Sequence, residues 1–266
     1  MIRFLNENDE NLIQQAKHLW QEAFSDSDAF TEYYFSKRSK PEYILCLIED
    51  GVVLSMLHVL PQKMNFGGRI FDTHLIAGVA TRKCQRRKGY AEAVLLYAHR
   101  HIDTDAFILQ PANEELVSFY EKYGYKTLCK YGVRTLRNDG SCKGMLHSGA
   151  TPTAEKLLAI YSENMRDFEN CVHMEKADFE KLLSEADESE IKVLCTDSAF
   201  VITDGNEALL CGHITPDTER LILSESETDS VRVICPMDVS CSERITFNMI
   251  RSKLKVTGSV FSHLRY

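Results

Sequence analysis

Several features common in other protein classes are missing from this sequence. No apolar run approaches the length of a membrane span, so no transmembrane helix is expected. The opening MIRFLNENDENLIQQ has no apolar stretch behind a basic start, which excludes a signal peptide. Nine cysteines include no C-x-x-C pair, and their number is odd. They read as reduced thiols of a cytoplasmic protein, mostly buried as small apolar residues. No Cys or His pair has zinc-knuckle spacing, so no metal is expected. Positive charge is also short: 31 Lys and Arg face 39 Asp and Glu, a formal net charge of −8. That balance argues against a general nucleic-acid binder. The dinucleotide loop G-x-G-x-x-G and the P-loop ending G-K-S or G-K-T are absent as well.

What remains is an ordinary globular composition, with 44% hydrophobic and 26% charged residues over 266 positions. That length suits two domains and a core that needs no metal or disulfide. Ile2 to Leu5 reads as a short strand. Leu12, Ile13, Ala16, Leu19, Trp20 and Ala23 recur at helical spacing, and a second helix is expected around Asp28 to Ser36. YILCLIE (43–49) and VVLSMLHVL (52–60) flank Asp50-Gly51, a strong hairpin signal, and Gly67-Gly68 marks another turn. Arg69 to Thr81 is a long strand whose Leu75, Ala77, Val79 and Thr81 are expected on one face. A helical period starts at Gly89, FIL (107–109) is a buried strand, and Asn113 caps a helix that Gly124 ends. Tyr125 to Leu136 is β-rich.

RNDGSCKGMLHSGATPT (137–153) reads as a linker. Beyond it, a helix is expected with Thr151 as cap and Pro152 at the first helical position. A helix around Ala177 to Ala186 and strands at IKVLC, AFVIT, EALLCGHI, LILS (221–224) and VRVIC follow. The second half repeats the helix, helix, hairpin, strand order of the first. The expected division is a first domain at 1–137, a linker at 138–152 and a related second domain at 153–266, with only the first keeping chemistry.

One short stretch carries that chemistry. In VATRKCQRRKGYAEAVL (79–95), five of the seven residues from Arg82 to Lys88 are basic, in an acidic chain. They lie between a strand ending at Thr81 and a helix beginning near Gly89. A helix start has free N–H groups and a partial positive charge, which suits phosphate. Gly89 lets the backbone approach a ligand, Ala91 adds little bulk, and Arg86, Arg87 and Lys88 add charge. A diphosphate fits; a solvated basic loop is the plain alternative.

The pattern Arg86-x-x-Gly89-x-Ala91 after a strand resembles the acyl-CoA motif of the GNAT acyltransferases, Q/R-x-x-G-x-G/A. VATRKCQRRKGYA resembles the longer family pattern V-A-V-x-P-x-x-R-R-x-G, with Thr81 for the second valine and Lys83 for proline. NEELVSFYEKYGYK (113–126) resembles the second signature, N-x-x-x-x-x-x-Y-x-K-x-G-F, with Tyr125 for phenylalanine. The resemblance covers most of residues 1–136 and implies a mixed α/β GNAT fold followed by a degenerate GNAT-like domain. It implies acetyl-CoA as cosubstrate, held by Val79, Ala80 and Thr81 along the pantetheine arm. Arg86, Arg87, Lys88, Gly89, Tyr90, Ala91 and Glu92 would surround the pyrophosphate, with Asn113 also on the pantetheine side. Tyr120 matches the general acid. For Tyr120 alone, a core aromatic on a helix face is the rival reading.

The chemistry wants such parts in its own right. An amine attacking a thioester creates an oxyanion, which a backbone N–H near Val79 can stabilise, and a leaving thiolate, which a tyrosine can protonate. His58, His74, Glu22, Glu114 or a relayed water remain open as base. The tandem layout resembles the first two regions of the enhanced-intracellular-survival acetyltransferases, without their third domain. In those proteins the terminal carboxylate enters the active site. For VFSHLRY (260–266) two readings therefore stand: a frayed tail, or one anchored by Val260, Phe261 and Leu264 that presents the Tyr266 carboxylate. The expected function is N-acetyl transfer from acetyl-CoA to a small-molecule or peptide amine, with no nucleic acid or membrane partner. The alternative is a non-catalytic acyl-CoA-binding regulatory module.

Overall fold

The computed structural model describes residues 1–140, 142, 151–188, 191–235, 241, 243–254, 256 and 260–261. Its first half begins with β1 (Ile2–Phe4), α1 (Glu10–Phe24) and α2 (Asp28–Tyr33). A π-helical turn, Tyr34–Arg38, and a 3-10 turn, Pro41–Tyr43, lead into β2 (Ile44–Glu49). Asp50-Gly51 and Gly67-Gly68 then take positive φ at all four positions, the conformation that two-residue hairpin turns demand. They join β2, β3 (Val52–Phe66) and β4 (Arg69–Thr81) into an antiparallel meander. Next come α3 (Tyr90–His101), β5 (Ala106–Leu109) parallel to β4, α4 (Glu114–Glu121) and β6 (Lys126–Arg137).

The second half starts with α5 (Ala154–Asn164), β7 (Asn170–Val172), α6 (Lys176–Glu188) and β8 (Lys192–Cys195). It continues with β9 (Phe200–Thr203), β10 (Glu207–Cys211), α7 (Pro216–Ser224), β11 (Ser230–Cys235), β12 (Glu243–Ser252) and β13 (Val260–Phe261). Its connectivity repeats that of the first: an antiparallel β9–β10 pair, a helix, then β11 parallel to β10.

Among the described residues, the strands join one sheet in the order β1-β2-β3-β4-β5-β12-β6-β11-β10-β9-β8, with β7 on the far half of β3 and β13 on β7. The order reads almost the same from either end, and its centre is an exchange. The last long strand of each half crosses to the other: β12 lies between β5 and β6, and β6 lies between β12 and β11. The halves are therefore interlocked by backbone hydrogen bonds. Asn138, just past β6, already bonds the second half through Asp229 and Ser226.

Alternation along the strands sorts the helices onto two faces. Ile44, Cys46 and Ile48 pack with Ala16, Leu19 and Trp20 of α1 on one face, while Leu45 and Leu47 pack with Val94, Leu95 and Ala98 of α3 on the other. Leu60, Met64 and Phe66 extend the α1 face into the second half, where α5 and α6 cover it. Helix α7 has its own cluster with Val201, Leu210 and Val231.

Three local expectations are corrected. LILS (221–224) is the end of α7 rather than a strand, because Thr215 and Thr218 cap the helix reciprocally and Pro216 opens it. The cap of α5 is Thr153, whose hydroxyl accepts the Lys156 N–H at 3.2 Å, and not Thr151. Leu75, Ala77, Val79 and Thr81 do not share a face: Leu75 and Ala77 pack in the cluster of the α1 face, Val79 in that of the α3 face. The reason is a bulge at Gly78 (φ +56), which shifts the β3–β4 register between Met56 and His58. Strands β7 and β12 carried no sequence signal strong enough to mark them. Most of the linker and residues 262–266, including Tyr266, lie outside the described residues. Cys46, Cys129, Cys171, Cys195, Cys211 and Cys235 are buried, as expected.

Candidate active site

The site begins at the Gly78 bulge. A Cβ on Gly78 would lie 2.4 Å from Trp20 Cζ3 and 3.1 Å from His58 Cδ2, so only glycine lets Trp20 rest against β4 here. Past the bulge, β4 and β5 separate. Their parallel pairing ends at Ile76 and Leu109, while β4 runs on to Thr81. Among the described residues, no strand pairs with the β5-side edge from Ala77 to Thr81. The Arg82 amide bonds back to Leu54 of β3, and the Ala80 carbonyl accepts from Ser55 Oγ at 2.9 Å. By alternation, Val79 and Thr81 turn their backbone groups to the open edge, while Ala80 turns its own toward β3.

The basic loop follows. Arg82 folds back, its Nε donating to the Val53 carbonyl, and the Lys83 amide donates to Glu22 Oε1 at 2.7 Å. Arg86 Nε donates to the Thr81 carbonyl at 3.2 Å, and Lys88 Nζ to Gln85 Oε1 at 2.7 Å. Arg87 (φ +64) and Gly89 (φ +82) both adopt left-handed backbone, which turns the chain sharply into α3. Gly89 is the N-cap, and no side chain caps the helix. The first-turn amides of Tyr90, Ala91 and Glu92 are left without an intrahelical acceptor. A Cβ at Gly89 would meet nothing closer than Glu92 Oε2 at 3.9 Å, so the cradle is open. Arg86, Arg87 and Lys88 are exposed around it. These features fit a diphosphate, with the Glu92 carboxylate as the one acidic group in that turn.

Asn113 caps α4, its Oδ1 accepting the Leu116 N–H at 3.0 Å, which leaves its amide nitrogen available as donor. Tyr120, in the last turn of α4, is 6% exposed and packs edge-on to Phe119 and Tyr125. Burial pushes its hydroxyl pKa up to about 12, so it stays protonated and able to donate.

Beside the bulge lies a cleft of about 570 Å³. Trp20, Phe24 and Asp26 from the α1 side, Gly78, and residues 110–114 form one wall; Glu207, Arg232, Ile234, Ile245 and Thr246 of the second half form the other. The Trp20 indole N–H donates to Asp26 Oδ2 at 2.7 Å, and the ring stacks on Tyr34. Glu114 accepts the Thr246 amide at 3.0 Å, where β12 is irregular. Arg232 pairs with Glu207. Of the four candidate base side chains, Glu114 alone lines this cleft. Glu22 holds the loop. His74 packs against Phe107 elsewhere on β4. His58 is wholly buried behind Gly78 among Trp20, Tyr34 and Phe35, with Nδ1 2.6 Å from Ser39 Oγ; desolvation lowers its pKa to about 3. Among the described residues, no three His, Cys, Asp or Glu side chains group to hold a metal, and no helix is long and apolar enough to cross a membrane.

The profile of an acetyltransferase (GNAT) domain matches residues 2–128. The chain carries a GNAT acetyltransferase domain. This ties it to acyl transfer, and the splayed β4–β5 pair with the cradle at α3 lies within that domain. No curated protein matches the chain in sequence. Solved structures resemble it in fold over nearly its whole length. A GCN5-related N-acetyltransferase from Kribbella flavida is 15% identical with a TM-score of 0.63, covering 95% of this chain and 71% of that one. One from Anabaena variabilis is 17% identical with a TM-score of 0.63, covering 94% and 72%. Eis1 from Mycobacterium abscessus is 14% identical with a TM-score of 0.59, covering 95% and 73%.

The motifs thus point to the start of α3, Asn113 and Tyr120 as candidate site residues. They missed the cleft residues Trp20, Asp26, Gly78, Glu207, Arg232, Ile245 and Thr246. Trp20 had registered only as part of a helical stripe. The second-half residues had no signal, because nothing local tells a strand that it will cross into another half.

Proposed function

We propose that this protein is a cytoplasmic N-acetyltransferase that transfers the acetyl group of acetyl-CoA to an amine. The observation that carries the reading is the conjunction of an open, bulged β4 edge with an uncapped, basic start of α3. Acetyl-CoA supplies an activated thioester when bound. The backbone of Val79 and Thr81 pairs with the pantetheine arm as an added strand would. The amides of residues 87–92, with Arg86, Arg87 and Lys88, hold the pyrophosphate, and Asn113 donates to the arm. A backbone N–H near Val79 stabilises negative charge on the reacting carbonyl oxygen. Tyr120 donates a proton to the departing sulfur, a role that requires the protonated hydroxyl its burial maintains at neutral pH. Glu114 is our choice to position the amine and take its proton, directly or through water.

We further read the chain as two related GNAT-like halves, 1–137 and 153–266, joined by 138–152. Only the first keeps the cofactor cradle, and the second completes the acceptor cleft. The acceptor is a small molecule or a peptide amine. Thiol release from acetyl-CoA against a broad amine panel tests the reading. CoA binding without turnover of any amine would instead favour a non-catalytic acyl-CoA-binding module.

A further inference from the structure

A second charged concavity lies away from the acyl-transfer machinery. Lys37, Arg38, Lys40 and Lys181 line a pocket of about 220 Å³ where the π-helical turn of the first half meets α6 of the second. Tyr43, Leu60 and Met174 give it an apolar floor, and Asp178 is its one acidic lining residue. The segment belongs to the α1 face, whereas the cradle at α3 belongs to the other face. The two sites are therefore separate.

Some surface lysines of this acidic chain hold a carboxylate partner. Lys17 finds Glu32, Lys156 finds Asp197, Lys176 finds Glu155, Lys192 finds Glu225 and Lys253 finds Asp103. Lys37, Lys40 and Lys181 differ in sharing one pocket, and among the described residues none of the three has a carboxylate within ion-pair distance. The buried Arg38 does, since its Nε and Nη2 both meet Glu185 Oε2, the Nε contact being 2.9 Å. That pair neutralises Glu185 rather than the lysines. Partial desolvation, then the charges of Arg38 and Lys40, hold the Lys181 pKa below the usual lysine value against the pull of Glu185 and Asp178. Four cationic side chains thus line one pocket that has a single lining carboxylate, Asp178.

We propose that this seam is a binding site for a small phosphate-bearing anion, inorganic phosphate or a compact phosphate monoester. Three lysines supply point charges and multiple N–H donors, as phosphate oxygens require. The volume lies below the ~300–1,000 Å³ of drug-sized pockets, which suits a small anion. The ligand would bridge α6 to the segment 37–40 and so tie one half to the other.

The test is calorimetric titration of the full-length protein with inorganic phosphate at constant ionic strength, followed by glycerol phosphate. Two double variants are compared with wild type: Lys40→Gln with Lys181→Gln, and Arg86→Gln with Arg87→Gln to silence the cradle. Both remove exposed charges only, and circular dichroism checks that each is folded. The expected result is saturable phosphate binding that survives the arginine variant and weakens about tenfold or more in the lysine variant. Equal affinity for both ligands marks free phosphate as sufficient; tighter glycerol phosphate marks an ester seated on the apolar floor. A second readout is mass-spectrometric protection of Lys181 from amine acylation by phosphate in the wild type. Unchanged binding in the lysine variant, loss confined to the arginine variant, or no saturable binding at all would each overturn the site. All three outcomes are independent of whether any amine is acetylated.

Discussion

Two equivalent strand-to-helix junctions, β4 to α3 and β10 to α7, make opposite use of the same topology. In the first half, β4 runs five residues beyond its pairing with β5, bulges at Gly78 and enters α3 through left-handed Arg87 and Gly89. No side chain caps α3, and three cations stand at its start. In the second half, β10 pairs with β9 without a register break and ends two residues past its last contact with β11. Helix α7 then opens with Pro216, which has no N–H, while Thr215 fills the Thr218 amide. Asp217 and Glu219 make that turn acidic. One helix start is left unsatisfied and positive; the other is satisfied and negative. The fold supplies the geometry twice, and the side chains decide which copy can receive a diphosphate.

The largest effect expected from breaking this contrast is on the acyl transfer proposed for the first half. Tyr120→Phe keeps the ring that packs α4 and deletes the proton donor. Turnover should fall by about 10²–10⁴-fold, with CoA affinity nearly unchanged by titration. Full turnover in a chemistry-limited assay would remove Tyr120 from the mechanism.

Next in size is an acid sensitivity built into the same half. Unfolded, His58 titrates near 6.5; folded, near 3. The unfolded chain therefore takes up the proton first as pH falls. Stability is lost from about pH 6.5 downward, at up to about 1.4 kcal/mol per pH unit. His99, lowered to about 4 by burial and by Arg251, adds to the same window. His58→Gln should flatten the urea midpoint between pH 6 and pH 4, and an unaltered slope would show that His58 is not the cause.

Gly78→Ala forces a Cβ into Trp20 at a positive φ. A cost of about 1–3 kcal/mol is expected, read as a lower melting temperature together with reduced turnover. A variant as stable and as active as wild type would mean that Trp20 does not depend on the bulge. Gly89→Asp sets a strained side chain and a negative charge at the start of α3, and should weaken CoA at least about tenfold. Equal CoA affinity in that variant would relocate the cofactor. The smallest effect belongs to the other junction. Thr215→Ala should cost about 1 kcal/mol in unfolding free energy, with no gain in CoA binding, since Pro216 and the two acids remain.

The legible parts of this protein were local. Asp50-Gly51 and Gly67-Gly68 specified hairpins because their turns require positive φ, and Asn113 and Gly124 bracketed α4 by capping. The cradle could be read from Arg86 to Ala91 because phosphate recognition there needs only consecutive backbone amides and neighbouring charges. LILS misled, because four apolar-rich residues fit a strand or a helix and only the Thr215 cap upstream tips the balance. The bulge at Gly78 was hidden, since a glycine within a strand pattern does not say which face each later residue will take.

The sequence by itself therefore determined the turns, the caps, the mixed α/β order and the phosphate-ready loop, all set by interactions within a few residues of chain. Tertiary structure alone decided the exchange of β6 and β12, the separation of β4 from β5 past Ile76, and the meeting of Trp20, Asp26 and Glu114 with Glu207, Arg232 and Thr246 around one cleft. Those contacts join residues tens of positions or more apart, 132 in the case of Glu114 and Thr246. Their partners are chosen by which strand edges and apolar faces remain unsatisfied after each half has folded locally, and no short stretch of sequence contains that information.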